Sequence, residues 1–215
     1  MSDRLTTRTL DVPRAAIDLT LRDLTGRGIP LAVLRPPARD GRNVLEVDVL
    51  VAPAHLAAAE DLLRIDGFRR RPGWGRDPHR FWIRPLVGEA GLDWLKLDLV
   101  TDLAFGPWHE WGTGTADEVL ADRTEDRPPR LAPADELLAL ALHVALDRGA
   151  VRPRDGERLQ ALAARAERPG ALARAVLADG GDGPHWDDIR GWIVDGRWAT
   201  LLAAAPTLDV EPVAS

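Results

Sequence analysis

An α+β fold is the expectation for this chain, a small mixed β-sheet flanked by helices and followed by a helical region, and three features of the sequence predict it. Two apolar stretches, Val44 to Val51 and Leu92 to Leu103, read as strands, and each carries acids among its apolar residues. Between them lies a segment opened by Pro53 and closed by Gly67 that has helical spacing. Beyond the charged, proline-bearing stretch from Glu125 to Pro133 the composition turns to Ala and Leu at helical spacing. The expected organisation is therefore an α+β domain over 1–125, a helical domain over 131–205 and a frayed tail over 206–215.

Element by element, Val12 to Leu24 reads as a helix with Ala16, Leu19 and Leu24 on one face, ended by Gly26 and Gly28. Leu31 to Leu34 is a short buried strand leading into a loop, Arg35-Pro36-Pro37-Ala38-Arg39-Asp40-Gly41-Arg42. Val44 to Val51 is a strand and Pro53 to Ile65 a helix. Phe68 to Arg71 and His79 to Leu86 are strands joined by the turn Pro72-Gly73-Trp74-Gly75. Leu92 to Leu103 follows as a strand, then a loop from Gly106 to Gly114. Asp135 to Arg148, Gly156 to Glu167 and Ala171 to Ala178 are helices, with shorter ones at Trp186 to Val194 and Arg197 to Ala204.

The composition narrows the function. The chain has 215 residues and no cysteine, which excludes disulfides, thiol nucleophiles and zinc–thiolate sites. No apolar run reaches the roughly 20 residues that span a bilayer, and the first residues have no apolar signal core, so a soluble cytoplasmic protein without a membrane partner is expected. The formal net charge of −6 argues against broad nucleic-acid binding. The stretch from Arg64 to Arg84 is locally basic, either a surface that meets phosphates or a solvated arginine-rich face. There is no Walker-type Gly-Lys-Ser/Thr, no nucleophile elbow and no His-Glu-x-x-His. Nothing in the pattern specifies an oligomeric state.

The carboxylates carry the functional argument. A strand sends alternate side chains to opposite faces, so Glu46 and Asp48 share one face and Val47, Val49 and Val51 the other. In the second strand Trp94, Lys96 and Asp98 share a face, opposite Leu95, Leu97 and Leu99. If the two strands are neighbours, three acids converge. Carboxylates fixed side by side repel, and a divalent cation relieves that repulsion. Hard oxygen ligands suit Mg²⁺ or Mn²⁺ bound together with phosphate oxygens. Glu46, Asp48 and Asp98 are thus the candidate metal ligands and catalytic residues, with Asp98 as third ligand and base.

These segments resemble the DNA polymerase β-type nucleotidyltransferase superfamily, in its small bacterial, minimal branch. The resemblance runs through Leu31-Ala-Val-Leu-Arg35, Leu45-Glu-Val-Asp-Val-Leu-Val51, Leu63-Arg-Ile-Asp-Gly-Phe68, His79-Arg-Phe-Trp82 and Trp94-Leu-Lys-Leu-Asp98, covering roughly residues 15–105. It implies a nucleotidyltransferase-like sheet with paired acids on one strand, here Glu46 and Asp48, and a third on a later strand, here Asp98. It also implies a helical appendage that helps to hold the acceptor. Two positions depart from the pattern. Glu46 stands where the family has Asp, and Arg35-Pro36-Pro37 stands in place of the Gly-Ser phosphate-binding turn.

Arg35, Arg39 and Arg42 are then candidate phosphate-binding residues in that turn's stead, together with Lys96, His79 and Arg80. Lys96 is the one lysine in the chain, and an ion pair with an acid is its alternative role. Trp108, His109 and Trp111 form a candidate substrate loop directly after the acidic strand, or a cover for the core edge. His143 and Asp147, four apart on a helix, are placed to touch. The expected function is metal-dependent transfer of a nucleoside monophosphate from an NTP to a hydroxyl or amine of a small-molecule acceptor. The alternatives are a catalytically inactive binding or regulatory module on the same fold, such as a toxin–antitoxin partner, and a divergent transferase without NTP chemistry.

Overall fold

A computed structural model describes residues 3–35, 38–39, 44–71, 78–88, 91–105, 111–177, 183–207 and 211–212. It is a mixed α+β structure that divides into two compact units, one formed by residues 1–101 and 125–130, the other by 102–124 and 131–215. No helix among the described residues is long and apolar enough to cross a membrane.

The first unit begins with α1 (Asp3–Gly26), which starts well before the expected Val12. Ile17, Leu21 and Leu24 form its buried stripe, each 0–1 % exposed, whereas Leu19, expected on that stripe, is 56 % exposed. The difference is one of phase. A stripe on Ile17 repeats at spacings of four and three, and it also buries Thr20, whose hydroxyl donates to the Ala16 carbonyl and to Asp66 Oδ2 (2.8 Å).

Strands β1 (Leu31–Val33), β2 (Ala38–Arg39) and β3 (Val44–Val51) follow, then a 3₁₀ turn at Pro53–His55 and α2 (Leu56–Ile65). Gly67, at φ 82°, ends α2 in the left-handed region that favours glycine. Strands β4 (Arg69–Arg70), β5 (His79–Gly88) and β6 (Gly91–Val100) complete the unit. The sheet runs β1-β3-β6-β5-β4, with β2 also paired to β3. β3 and β6 are parallel, and the other pairs are antiparallel.

One face of this sheet is the core. Val47 and Val49 of β3, Leu95, Leu97 and Leu99 of β6 and Trp82 of β5 are each 0–1 % exposed and cluster with the apolar stripes of α1 and α2. Burial of branched and aromatic side chains at this density, roughly 1.5–3 kcal/mol for each, holds the strands in their relative register. The opposite face carries the acids.

The second unit opens with β7 (Ala104–Phe105), β8 (Trp111–Gly112) and α3 (Ala116–Ala121). It continues with α4 (Pro133–Leu142), a π-helical turn at His143–Arg148, α5 (Pro153–Ala163), α6 (Ala171–Val176), α7 (Trp186–Val194) and α8 (Trp198–Ala204). Its last strand is β9 (Glu211–Pro212), which pairs with β8, itself paired to β7. Two expectations differ here. Residues 102–124 pack with the helices rather than with the large sheet, while 125–130, read as part of a linker, pack with the sheet. Part of the tail expected to fray is paired, because β8 offers it an open edge.

Candidate functional site

The parallel register of β3 and β6 builds the site. Asp48 lies directly opposite Asp98, and Glu46 directly opposite Lys96. On the other side of β6, Phe81 of β5 is opposite Asp98 and Ile83 opposite Lys96. Directly opposed residues share a face, so Glu46, Asp48, Lys96, Asp98 and Phe81 lie together on the face away from the helices, and the alternation of β5 adds His79. The apolar alternation of β3 and β6 forces this arrangement. Burying Val47, Val49, Leu97 and Leu99 under the helices leaves the acids no other side.

Each carboxylate meets a cationic or imidazole partner. Arg35, just beyond β1, donates through Nε to Asp48 Oδ2 at 2.7 Å and through Nη2 to the same oxygen. Lys96 Nζ is 2.6 Å from Glu46 Oε1 and sits 4.5 Å from the centre of the Phe81 ring. His79 Nδ1 is 2.7 Å from Asp98 Oδ2. Asp48 and Asp98 are 7 % and 4 % exposed, and Asp98 Oδ1 is buried without a hydrogen-bond partner among the described residues.

The Asp98 carboxyl is raised above its ordinary value. Burial is the largest cause. The hydrogen bond and charge of His79 pull the other way, the charge of Asp48 adds to the rise, and Lys96 offsets part of it. The charge of Asp48, directly opposite, is thus a lesser influence beside burial.

Arg35 engages one oxygen of Asp48 and Lys96 one oxygen of Glu46, and among the described residues no group of three or more His, Asp or Glu side chains gathers that could hold a metal ion.

The other predicted residues divide as follows. His79 is on the acidic face, but hydrogen-bonded to Asp98. Arg80 is opposite Leu99, on the helix-covered side of the sheet, and its Nη1 donates to the His79 carbonyl at 3.1 Å. Arg39 lies in β2 opposite Leu45. Arg42, Trp108 and His109 fall outside the described residues. Trp111 belongs to β8 of the second unit. Two arginines of the basic stretch have structural work: Arg64 pairs with Asp61 and stacks on Trp82 (5.3 Å), and Arg84 donates to the Asp66 carbonyl (2.8 Å) and stacks on Phe68 (4.7 Å).

Sequence reasoning missed two organising acids of the second unit. Asp102 accepts from the backbone amides of Leu103, Thr113 and Gly114 at 2.8–3.0 Å, fixing the segment that carries β8. Asp135 is fully buried and accepts from the Leu172 amide at 2.9 Å, which caps α6 from a different helix. A lone Asp followed by a Gly/Thr-rich stretch is a signal for the first. Nothing local signals the second, whose partner is 37 residues away. His143 and Asp147 do touch, within the π-helical turn.

Compared with known proteins, the chain matches no protein-family model, no curated protein and no solved structure.

Proposed function

We propose that the chain is a nucleotidyltransferase-type transferase that takes a metal–NTP complex and passes the nucleoside monophosphate to a hydroxyl or amine of a small molecule. The observation that carries this reading is the register that sets Asp48 opposite Asp98 on a parallel strand pair, with Glu46 on the same face. Carboxylates on adjacent rigid strands are a means of orienting a metal-bound polyphosphate. Asp98, buried and raised, is the group suited to accept the acceptor's proton, since a base works best when its affinity for the proton is lifted toward the working pH. Arg35 and Lys96, paired at rest with Asp48 and Glu46, are the cations beside these carboxylates that would meet phosphate oxygens.

The experiment is incubation of the protein with each NTP, Mg²⁺ or Mn²⁺ and a pool of small hydroxyl- and amine-bearing metabolites, read as pyrophosphate release. Wild type releases pyrophosphate with metal present; Asp48→Asn and Asp98→Asn, checked as folded by circular dichroism, lose at least about 100-fold. A folded wild type that releases none with any NTP refutes the transferase. A second reading is favoured by one observation, the cationic partners that occupy Asp48 and Glu46: a non-catalytic binding module on the same scaffold. That reading expects no turnover and no change when Asp98 is replaced.

A further inference from the structure

We propose that the open face of β5 holds the ring of a single-ring aromatic acid, with its carboxylate at Arg69 and its far end toward Asp98. In the transferase reading above that ligand is the acceptor, and only that role rests on the reading; the binding itself needs no nucleotide. The strand registers lay out the surface. Ala38, Glu46, Lys96, Ile83 and Arg69 stand directly opposite one another in a single row across β2, β3, β6, β5 and β4. In the next row Asp48, Asp98 and Phe81 are aligned in the same way. Directly opposed residues share a face, so the side away from the helices changes character strand by strand. It carries acids on β3, Lys96 and Asp98 on β6, apolar Phe81, Ile83 and Pro85 on β5, and an arginine on β4.

Burial, charge and length define the ligand's chemistry. Phe81 and Ile83 are half-buried and Pro85 is exposed, with half-buried Trp94 directly opposite Pro85. On this face β5 therefore offers an apolar surface with no hydrogen-bonding side chain of its own. The Lys96 ammonium already stands 4.5 Å from the centre of the Phe81 ring, so the open patch centres on Ile83. Lys96 is held by Glu46 at 2.6 Å, whereas Arg69 at the sheet edge is exposed, so the cation offered to an incoming carboxylate is on the β4 side. A sugar or a polyamine laid on Ile83 would give up water from polar groups that β5 cannot serve. A flexible alkyl acid would lose rotamer freedom that a ring does not have. Strands two apart, as β4 and β6 are, lie roughly 9–10 Å from each other, the reach of a para-substituted ring acid with a hydrogen bond at each end. At that far end Asp98 Oδ1 is buried with no hydrogen-bond partner among the described residues, and it is the acceptor available to a hydroxyl or amine.

The full chain is titrated by calorimetry with para-hydroxyphenylacetate, with its uncharged amide and with hexanoate, in the absence of metal and nucleotide. The expected result is that the aromatic acid binds about tenfold more tightly than either control. In Arg69→Gln, an exposed change, acid and amide bind alike, at the affinity the amide has for wild type. In Ile83→Ser, checked as folded by circular dichroism, both weaken by about tenfold. Failure of the acid to bind, equal binding of acid and amide by wild type, or hexanoate binding as tightly as the acid overturns the site. So does a preference for the acid that survives Arg69→Gln, or unchanged binding by folded Ile83→Ser. None of these outcomes touches the transferase reading. If the acid binds as expected and wild type releases no pyrophosphate from any NTP in its presence or with any other acceptor, the transferase reading fails and the binding site stands. Release with sugars or polyamines but not with the acid overturns its role as acceptor.

Discussion

At the scale of the single residue, the two acids with raised carboxyls sit in opposite circumstances. Asp98 shares its oxygen with His79 and faces Asp48 and Lys96. Asp135 has a backbone amide on Oδ1 and no hydrogen-bond partner for Oδ2 among the described residues, and burial lifts it from 3.8 to about 6. Asp98 is the group that the proposed reaction would use, whereas Asp135 is a cap whose cost is structural. The cost has a sign. A carboxyl raised in the folded state keeps its proton while the unfolded chain loses it, so its contribution is greatest below about pH 4 and is lost as pH rises through about 6. At about 1.4 kcal/mol per unit, the difference amounts to roughly 3 kcal/mol between the extremes. Urea unfolding of wild type and Asp135→Asn from pH 4 to 7 checks this. The wild type loses stability relative to the variant as pH rises, and parallel curves would refute the assignment. The cap also fixes Gly170. A Cβ there would stand 2.1 Å from Asp135 Oδ1, inside a site where that carboxylate is fully buried, so Gly170→Ala should cost about 1–3 kcal/mol in the same unfolding measurement.

At the scale of the element, β6 works with its two faces independently. Leu95, Leu97 and Leu99 are each 0 % exposed in the core, while Lys96 and Asp98 serve the other side. Leu97→Ala should therefore lower stability by about 2–5 kcal/mol, while Val87→Ala, at a position 88 % exposed, should stay within about 0.5 kcal/mol. Thermal denaturation of both variants tests the contrast, which fails if the two shift the midpoint alike. The same two-sidedness explains what the sequence could disclose. The strand period put Glu46 with Asp48 and Lys96 with Asp98 correctly, because that is a local property of an apolar alternation. It left open which strands are neighbours. The link between β3 and β6 passes through α2, β4 and β5, and only packing chooses the partner. For the same reason His79, expected from the sequence as a candidate phosphate-binding residue, becomes the partner of Asp98 through an antiparallel register with no local trace. Arg35 was legible as a candidate cation but not as the partner of Asp48. Several short elements escaped: β2, β7, β8 and β9 have two residues each and α3 has six, too few for a period to register, and β2 and β8 fall inside expected loops, whereas β4 and α6, equally short, lie within expected segments.

At the scale of the whole molecule, the chain crosses between its units more than once. It leaves the first after Thr101, returns over Glu125–Arg130 and leaves again at Leu131. The stretch from Glu125 to Pro133 looked like a linker because it is charged and carries three prolines, and composition does not reveal that an extended segment lies along a sheet edge. β1 is the terminal strand of the large sheet, joined on one side to β3. On its other side Val33 donates its amide to the Pro129 carbonyl at 2.8 Å, and Val33 bridges Arg130 in parallel. The returning segment thus covers an edge that would otherwise present unpaired backbone groups for association. A fragment ending at Thr101 has all the strands of that sheet but not the cover. Joining 125–130 to it through a flexible Gly/Ser linker restores the cover without the rest of the second unit. The Val33 amide should exchange with solvent at least about tenfold more slowly in the linked fragment than in the short one, and the short one should self-associate more in sedimentation. Equal exchange and equal association would mean that the edge is protected by the strands alone, and that the return of the chain across 125–130 contributes connection without stability.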